Sequence, residues 1–430
     1  MSRFLAPPPI PGIPGPSEPP VIGSLIPFAR DALGFLRHCQ REHGDLVQLT
    51  LTNHRIVLVS DPELLETVLV SEWRNLHKDA LYELTRPLLG NGLVTAEGDE
   101  WKRNRRLAAP SFTPRHIARY AQTMHACVDQ WVGSVQPDTE IDLFHEMMQL
   151  TQDIVLRTLF GDVDVDVSGA GPAIDTVMTE FIVDAQGRRR LWPNAFPSRG
   201  RRRAALAIAE LDVLMQAIID ARRSKGLGDD LLSQLIAARD DDGRGMDDTQ
   251  LRDEAITIFA AGHETTATAL TYTLLLLATH AHEDQRLAAD PSRAVPVLKE
   301  SMRLLPPVWA IGRETQVPIQ LGEHTIPAQI QLLVAQCVLH RDPRWYAEPD
   351  AFEPDRWLDP PQLPRFAYLP FGGGPRVCIG NHFAMMEAEI ALNKIVAAFR
   401  FEALGPVPPP AIPSITLRPT GAVPVRITRR

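Results

Sequence analysis

A mainly α-helical fold carrying small β-sheets is what this sequence predicts, on three observations. From Asp99 to Leu287 apolar residues recur at helical spacing with few interruptions. Outside that body, Leu46 to Val59 and short pieces after Pro306 are rich in β-branched residues and read as strands. A glycine-rich loop around Cys378 then leads into a further helical run, Asn381 to Phe399.

The elements follow in order. Between Pro7 and Pro20, proline and glycine disfavour both helix and sheet ladder, so residues 1–20 are expected to form an extended arm on the surface. Residues 21–430 are expected to form one large domain. Leu46 to Val59 reads as a β-hairpin turning at Thr52-Asn53-His54, and Asp61-Pro62 opens a helix. The helical body is expected to break at Pro110 and Pro114, between Gly161 and Gly171, and around Pro193 to Gly200. Basic clusters Arg188 to Arg190 and Arg201 to Arg203 bracket Trp192-Pro193, which suggests a mobile surface lid more than a membrane contact. After Pro306, Val317 to Leu321 and Ile330 to Val334 look like strands, a proline-rich run reaches Pro375, and helix returns at Ile379. Ile415 to Ile427 looks like a second hairpin.

Composition narrows the function. Of 430 residues, 44% are hydrophobic and 23% charged, enough for a sizeable core. The formal charge of −9 argues against nucleic-acid binding, which needs clustered Lys and Arg. Four scattered cysteines with no Cys-x-x-Cys pair suggest neither a disulfide framework nor a zinc site, and a reducing cytoplasm fits them. No apolar run near the N-terminus resembles a signal or anchor, and the uncharged stretch Thr265 to Thr279 is shorter than the roughly 20 residues that span a bilayer. A soluble, cytoplasmic protein without a membrane anchor is expected. No repeat and no second compositional regime after residue 400 is seen, so electrons for any redox chemistry are expected from a separate protein.

Cys378 is the most informative residue. It sits just before a helix, where unpaired N–H groups and the helix dipole favour a thiolate, the form that binds metal. Glycines 372, 373, 374 and 380 are expected to adopt positive φ and to let the backbone approach a flat cofactor. The bland alternative is a packed thiol, which is the reading preferred for Cys39, Cys127 and Cys337. In the central helix, Ala260-Ala261-Gly262-His263-Glu264-Thr265-Thr266 places an acid and two hydroxyls among apolar residues. Glu264 and Thr265 suggest proton delivery and a hydroxyl that holds water or dioxygen, with Ala261 and Gly262 leaving room. Equally, the threonines could bond the preceding turn while Glu264 pairs with a core arginine. His263 reads as a core histidine.

The loop Phe371-x-x-Gly-x-Arg376-x-Cys378-x-Gly380 resembles the haem-binding loop of the cytochrome P-450 superfamily at every defining position, and the central-helix segment resembles that family's oxygen-activation motif. The resemblance spans nearly the whole chain. It implies a P-450 fold with haem b between the central helix and the Cys loop, Cys378 as iron ligand, Phe371, Gly372, Gly380 and Ala261 beside the cofactor, and Thr265 and Glu264 in catalysis. Trp101 and Arg105, with Arg376 and Arg313, resemble the family's propionate contacts, Arg313 being the weakest transfer. Glu300, Arg303 and Arg356 resemble its structural Glu-Arg-Arg triad. Pocket positions implied are Leu93, Val94, Ala261, Val308, Trp309, Ile311 and Ile415, an apolar lining suited to fatty acids, terpenoids, steroids or macrolides, with a slight lean to fatty acids. Trp309 is expected to restrict the cavity.

The activity implied is insertion of one oxygen atom of O2 into an apolar molecule, with electrons from NAD(P)H through a reductase and a ferredoxin, or a flavodoxin. Two alternatives stay open: a peroxide-driven haem enzyme of the same fold, against which the Glu264-Thr265 pair argues, and a non-catalytic haem sensor or ligand-binding protein.

Overall fold

A computed structural model describes residues 7–19, 22–51, 53–161, 165–167, 169–185, 198–359 and 362–430. The proline arm is less superficial than expected. Ile10 and Ile13 are buried core residues. Gln48 fastens them: its Oε1 accepts the Ile10 N–H at 2.8 Å, and its amide donates to the carbonyls of Ile10 and Ile13. The arm, whose prolines have no N–H to donate, is thus held by the Gln48 side chain and by the Gln48 N–H, which donates to Pro14 O at 2.9 Å.

Helix α1 (Ala32–His43) is capped by Asp31, which accepts the Gly34 N–H at 2.9 Å. The hairpin β1 (Leu46–Leu51) and β2 (His54–Val59) forms with Leu51 opposite His54; Thr52 of its turn lies outside the described residues. Asp61 caps the short helix Pro62–Glu66 by accepting from Glu63 and Leu64 N–H, and a π-turn, Thr67–Ser71, follows, then β3 (Leu76–His77). The helical body comprises α2 (Gly98–Ala108), α3 (Pro114–Ser134), α4 (Leu143–Phe160), α5 (Ala170–Ala185), α6 (Arg199–Lys225), α7 (Leu231–Ala237), α8 (Asp248–Thr279) and α9 (Ala281–Ala289). Pro114 starts a helix instead of breaking one, since a first-turn N–H has no intrahelical partner to lose. The proposed lid at 188–193 lies outside the described residues, whereas Arg201 to Arg203 belong to the first turn of α6.

Beyond α10 (Ala294–Leu304) come β5 (Ile311–Thr315), β6 (Ile319–Leu321), β7 (His324–Ile326), β8 (Gln331–Val334), α11 (Asn381–Ala398), β9 (Phe399–Ala403), β10 (Ala411–Pro413), β11 (Leu417–Pro419) and β12 (Pro424–Arg429). The last hairpin differs from expectation. β11 pairs with β10, while β12 joins β9 and β4 (Thr139–Asp142), a strand hidden in the helical stretch. Gly421, at φ +83°, turns the chain between the two sheets.

By their internal contacts the residues divide into two compact units. The first holds residues 1–80, 293–378 and 410–420, with the sheet β1-β2-β8-β5-β3 and two hairpins. Its core gathers Val57, Val59, Leu69, Leu332, Phe366 and Leu369. The second holds 81–292, 379–409 and 421–430: helices α2–α9 and α11, and the sheet β4-β12-β9. Phe160, Leu211, Ile218, Leu232 and Phe259 are central to its core.

Candidate active site

In the first unit the Cys loop is shaped by its neighbours. The Cys378 N–H donates to Phe371 O at 3.0 Å, closing the loop, and Gly372 N–H donates to Leu369 O at 3.0 Å. Only Gly372 (φ +71°) and Gly374 (φ +66°) of the four glycines use positive φ; Gly373 and Gly380, at −155° and −90°, do not. The close approach at two of them is to protein. A Cβ at Gly373 would stand 2.5 Å from the Phe366 ring, and one at Gly374 would overlap Leu69 O in the π-turn. Leu69 was invisible in the sequence because its role is carried by a carbonyl.

Cys378 is exposed, two residues before Gly380, the N-cap of α11. The other three cysteines are buried. Burial pushes the Cys39 thiol up to about 11 and Cys337 to about 12, and raises Cys127 also, so these sulfurs stay protonated and have no ligand character at neutral pH.

Behind the loop lies a fully buried ion pair. Arg303 donates in a fork to Glu300, Nε to Oε2 at 2.9 Å and Nη2 to Oε1 at 2.8 Å, and also to the carbonyls of His340, Pro349 and Ala351. Arg356 stands 3.5 Å from Glu300, which further accepts from Glu353 N–H and Trp357 Nε1. Both guanidiniums face the Tyr346 ring. His340, unmarked by any motif, links this cluster to the loop: its carbonyl accepts from Arg303 and its Nε2 accepts the Leu369 N–H at 3.0 Å. Burial holds its pKa down to about 3, so the ring is neutral, as that acceptor role requires.

Arg313 on β5 is buried, yet its guanidinium makes one hydrogen bond, to Gly312 O at 2.8 Å, and no ion pair among the described residues. Five donors with so little to bind suit an acidic ligand such as a haem propionate. Arg376 is half-buried in the turn Gly374–Arg376. Trp309 is buried, and its indole N–H donates to Ser414 O at 2.7 Å, fastening the β10–β11 turn that carries Ile415. Val308, Ile311 and Ile415 are half-buried.

In the second unit, α2 presents Trp101, buried, and Arg105, half-buried, one helical turn apart. Their basic neighbours are otherwise engaged: Arg103 pairs with Asp240 at 2.8 Å and Arg106 with Asp241. Leu93 is buried and Val94 half-buried in the loop before α2. At mid-α8, Ala261 is exposed although most of that helix is buried. Thr265 Oγ1 donates to Ala261 O at 2.9 Å and Thr266 to Gly262 O at 3.2 Å, which is the turn-bonding reading of these hydroxyls. Donation to Ala261 still leaves the Thr265 lone pairs free to accept from a proton donor over the open alanine. Gly262 lies close to α4: a Cβ there would stand 3.3 Å from Val155. Glu264 is buried; His263 stacks on Phe259 with its Nδ1 2.8 Å from Phe259 O, a core arrangement.

Glu387 of α11, also unread in the sequence, is wholly buried, and neither carboxyl oxygen has a hydrogen-bond partner among the described residues. Burial raises its pKa well above the usual value of 4.5, against slight support from the Thr266 hydroxyl. The folded state therefore holds a proton that the unfolded state releases above pH 4.5, and stability must fall as pH rises until the folded pKa is passed. Glu387→Gln removes this dependence. Its stability relative to the parent should rise by up to about 1.4 kcal/mol per pH unit in that window, measured by urea melts across pH 5–8. A flat difference would show that Glu387 is ionised in the fold.

Within the first unit, the exposed sulfur of Cys378 and the under-bonded guanidinium of Arg313 are donors of the kind that a haem takes. The sequence profile described as cytochrome P-450 matches residues 13–423. Among relatives, the cyclooctatin synthase of Streptomyces melanosporofaciens is 35% identical over 415 residues, covering 90% of this chain and 89% of its own. The cyclooctat-9-en-7-ol 5-monooxygenase of the same organism is 31% identical over 95% of this chain and 93% of its own. Pentalenene oxygenase of Streptomyces avermitilis is 30% identical, covering 90% of each. The solved structure of retinoic acid bound cyanobacterial CYP120A1 superposes with TM-score 0.86 at 24% identity, over 98% of this chain and all of that one. No described helix is long and apolar enough to cross a membrane. With a match over nearly its full length and relatives that are monooxygenases, this chain belongs to the cytochrome P-450 family.

Proposed function

We propose that this protein is a haem b monooxygenase that inserts one oxygen atom of O2 into a polycyclic terpenoid, the second atom leaving as water with two electrons and two protons. The observation that carries the reading is the exposed Cys378 at the end of its glycine loop, against three buried, protonated cysteines. Its thiolate would ligate the iron, and Arg313, Arg376, Trp101 and Arg105 would hold the propionates. When bound, the haem supplies dioxygen activation and one-electron chemistry. The chain's part is positioning and proton management. Ala261 presents only a methyl group on α8, Thr265 Oγ1 accepts a hydrogen bond there, and Glu264 supplies protons. The names of the Streptomyces relatives move the substrate from fatty acids to terpenoids.

Electrons come from NAD(P)H through a reductase and a ferredoxin. Reconstitution with a small iron–sulfur donor should give oxygenated product from cyclooctat-9-en-7-ol or pentalenene, with one labelled atom from 18O2. Turnover with a flavodoxin but with no ferredoxin would replace the donor, and product lacking the label would reject the oxygenase reading. Thr265→Ala should keep NAD(P)H consumption but cut product per NAD(P)H about fivefold or more, since proton delivery of this kind contributes about 10²–10⁴-fold. Unchanged coupling would favour the peroxide-driven alternative.

A further inference from the structure

Two buried carboxylates on α8 hold the loop that follows the short helix Arg86–Leu89. Asp253 Oδ2 accepts the Asn91 N–H at 2.7 Å, and Glu254 Oε2 accepts the Leu93 N–H at 3.0 Å. The intervening amide is used inside the loop, Gly92 N–H donating to Leu89 O at 3.2 Å. Further along, Thr95 and Ala96 N–H both donate to Gly92 O. Asn104 of α2 donates to Asn91 O at 3.2 Å and accepts from Gln250 of α8 at 2.5 Å. The two glycines permit the closeness: a Cβ at Gly90 would overlap the Asp253 carboxylate, and one at Gly92 would overlap Thr257 Oγ1 and lie 2.6 Å from Asp253 O.

Gln250, Glu254, Thr257, Ala261 and Thr265 fall on one face of α8 by their spacing. The loop is therefore fixed on the stretch of that face directly before the alanine and threonine assigned to the reaction. We infer that Asp253 and Glu254 are positioning residues that set substrate selectivity, by locking alternate amides of residues 91–93 so that Leu93 and Val94 are presented as a rigid pocket wall. The inference rests on the proposed haem site for the meaning of that wall, but the lock itself is independent of haem. Each of these amides donates to a carboxyl oxygen in the interior, and loss of that acceptor leaves a buried N–H unpaired. A rigid wall discriminates by shape, whereas a released loop accommodates or loses bulky ligands alike.

The test uses the full-length haem-loaded protein. Hydrogen exchange is read over residues 89–96, and imidazole and 4-phenylimidazole are titrated by their spectral shifts. Glu254→Ala should speed exchange of that segment about tenfold or more. It should weaken 4-phenylimidazole about tenfold while imidazole, lacking the phenyl ring, stays within about twofold. Glu254→Gln, which keeps an acceptor oxygen, should stay within about threefold of the parent for both. Gly92→Ala pushes the loop off α8 without touching either carboxylate, should reproduce the Glu254→Ala pattern, and carries the test if that variant does not fold. Unchanged exchange, equal losses for both azoles, or a Gln variant as impaired as Ala would overturn the inference. No azole shift in the unmodified protein would instead reject the haem site, while exchange would still report on the lock.

Discussion

Arg303→Ala should remove a large share of the fold's stability. The guanidinium spends its donors on Glu300 and on three backbone carbonyls, with both partners fully buried. Removing it leaves the Glu300 carboxylate in the interior with Arg356 at 3.5 Å and two N–H donors, and leaves the carbonyls of His340, Pro349 and Ala351 short of a partner. Breaking a buried pair from one side costs about 3–5 kcal/mol, a large share of a total stability of about 5–15 kcal/mol. Because His340 also holds Leu369, the Cys loop should loosen as well. Arg303→Lys keeps the charge but not the fork, so it should lie between the two. Thermal and urea melts check this, and an Arg303→Ala midpoint within a few degrees of the parent would mean that the triad is dispensable.

Cys378→Ala should have the opposite profile. The side chain is exposed and packs into no core, so stability of the polypeptide should change by only about 0.5 kcal/mol. Product formation should fall about 1,000-fold or more, about 4 kcal/mol of barrier, because the thiolate is the group that favours oxygen–oxygen cleavage. Cys39→Ala, in a buried α1 position, should cost about 1 kcal/mol of stability with turnover retained. The two variants measured side by side separate ligand from packing, and an active Cys378→Ala would remove the ligand assignment.

What the sequence disclosed depended on where the information is stored. A short contiguous pattern was legible where the partners are local: Glu300 and Arg303, one turn apart, form the buried pair that their spacing allows. The Asp61-Pro62 start of a helix was legible because capping is local. Long-range pairings were not. β4 is only four residues in a helical neighbourhood, and its partners β12 and β9 lie far along the chain, so no local signal marks it. Likewise the alternating residues of 415–427 suit a hairpin as well as two strands in different sheets. Glycine roles were half-legible: positive φ at 372 and 374 follows from residue type, but contact with Leu69 or Val155 depends on tertiary packing. His340, Asp253 and Glu254 act through backbone groups, which carry no residue identity to recognise.

Whether Cys378 binds a haem iron as a thiolate is read from the difference spectrum of the purified, dithionite-reduced protein with carbon monoxide. A thiolate opposite the gas should give a Soret band shifted far to the red that disappears in Cys378→Ala. A folded protein that carries no haem, or that gives the band of a histidine-ligated iron, would contradict it.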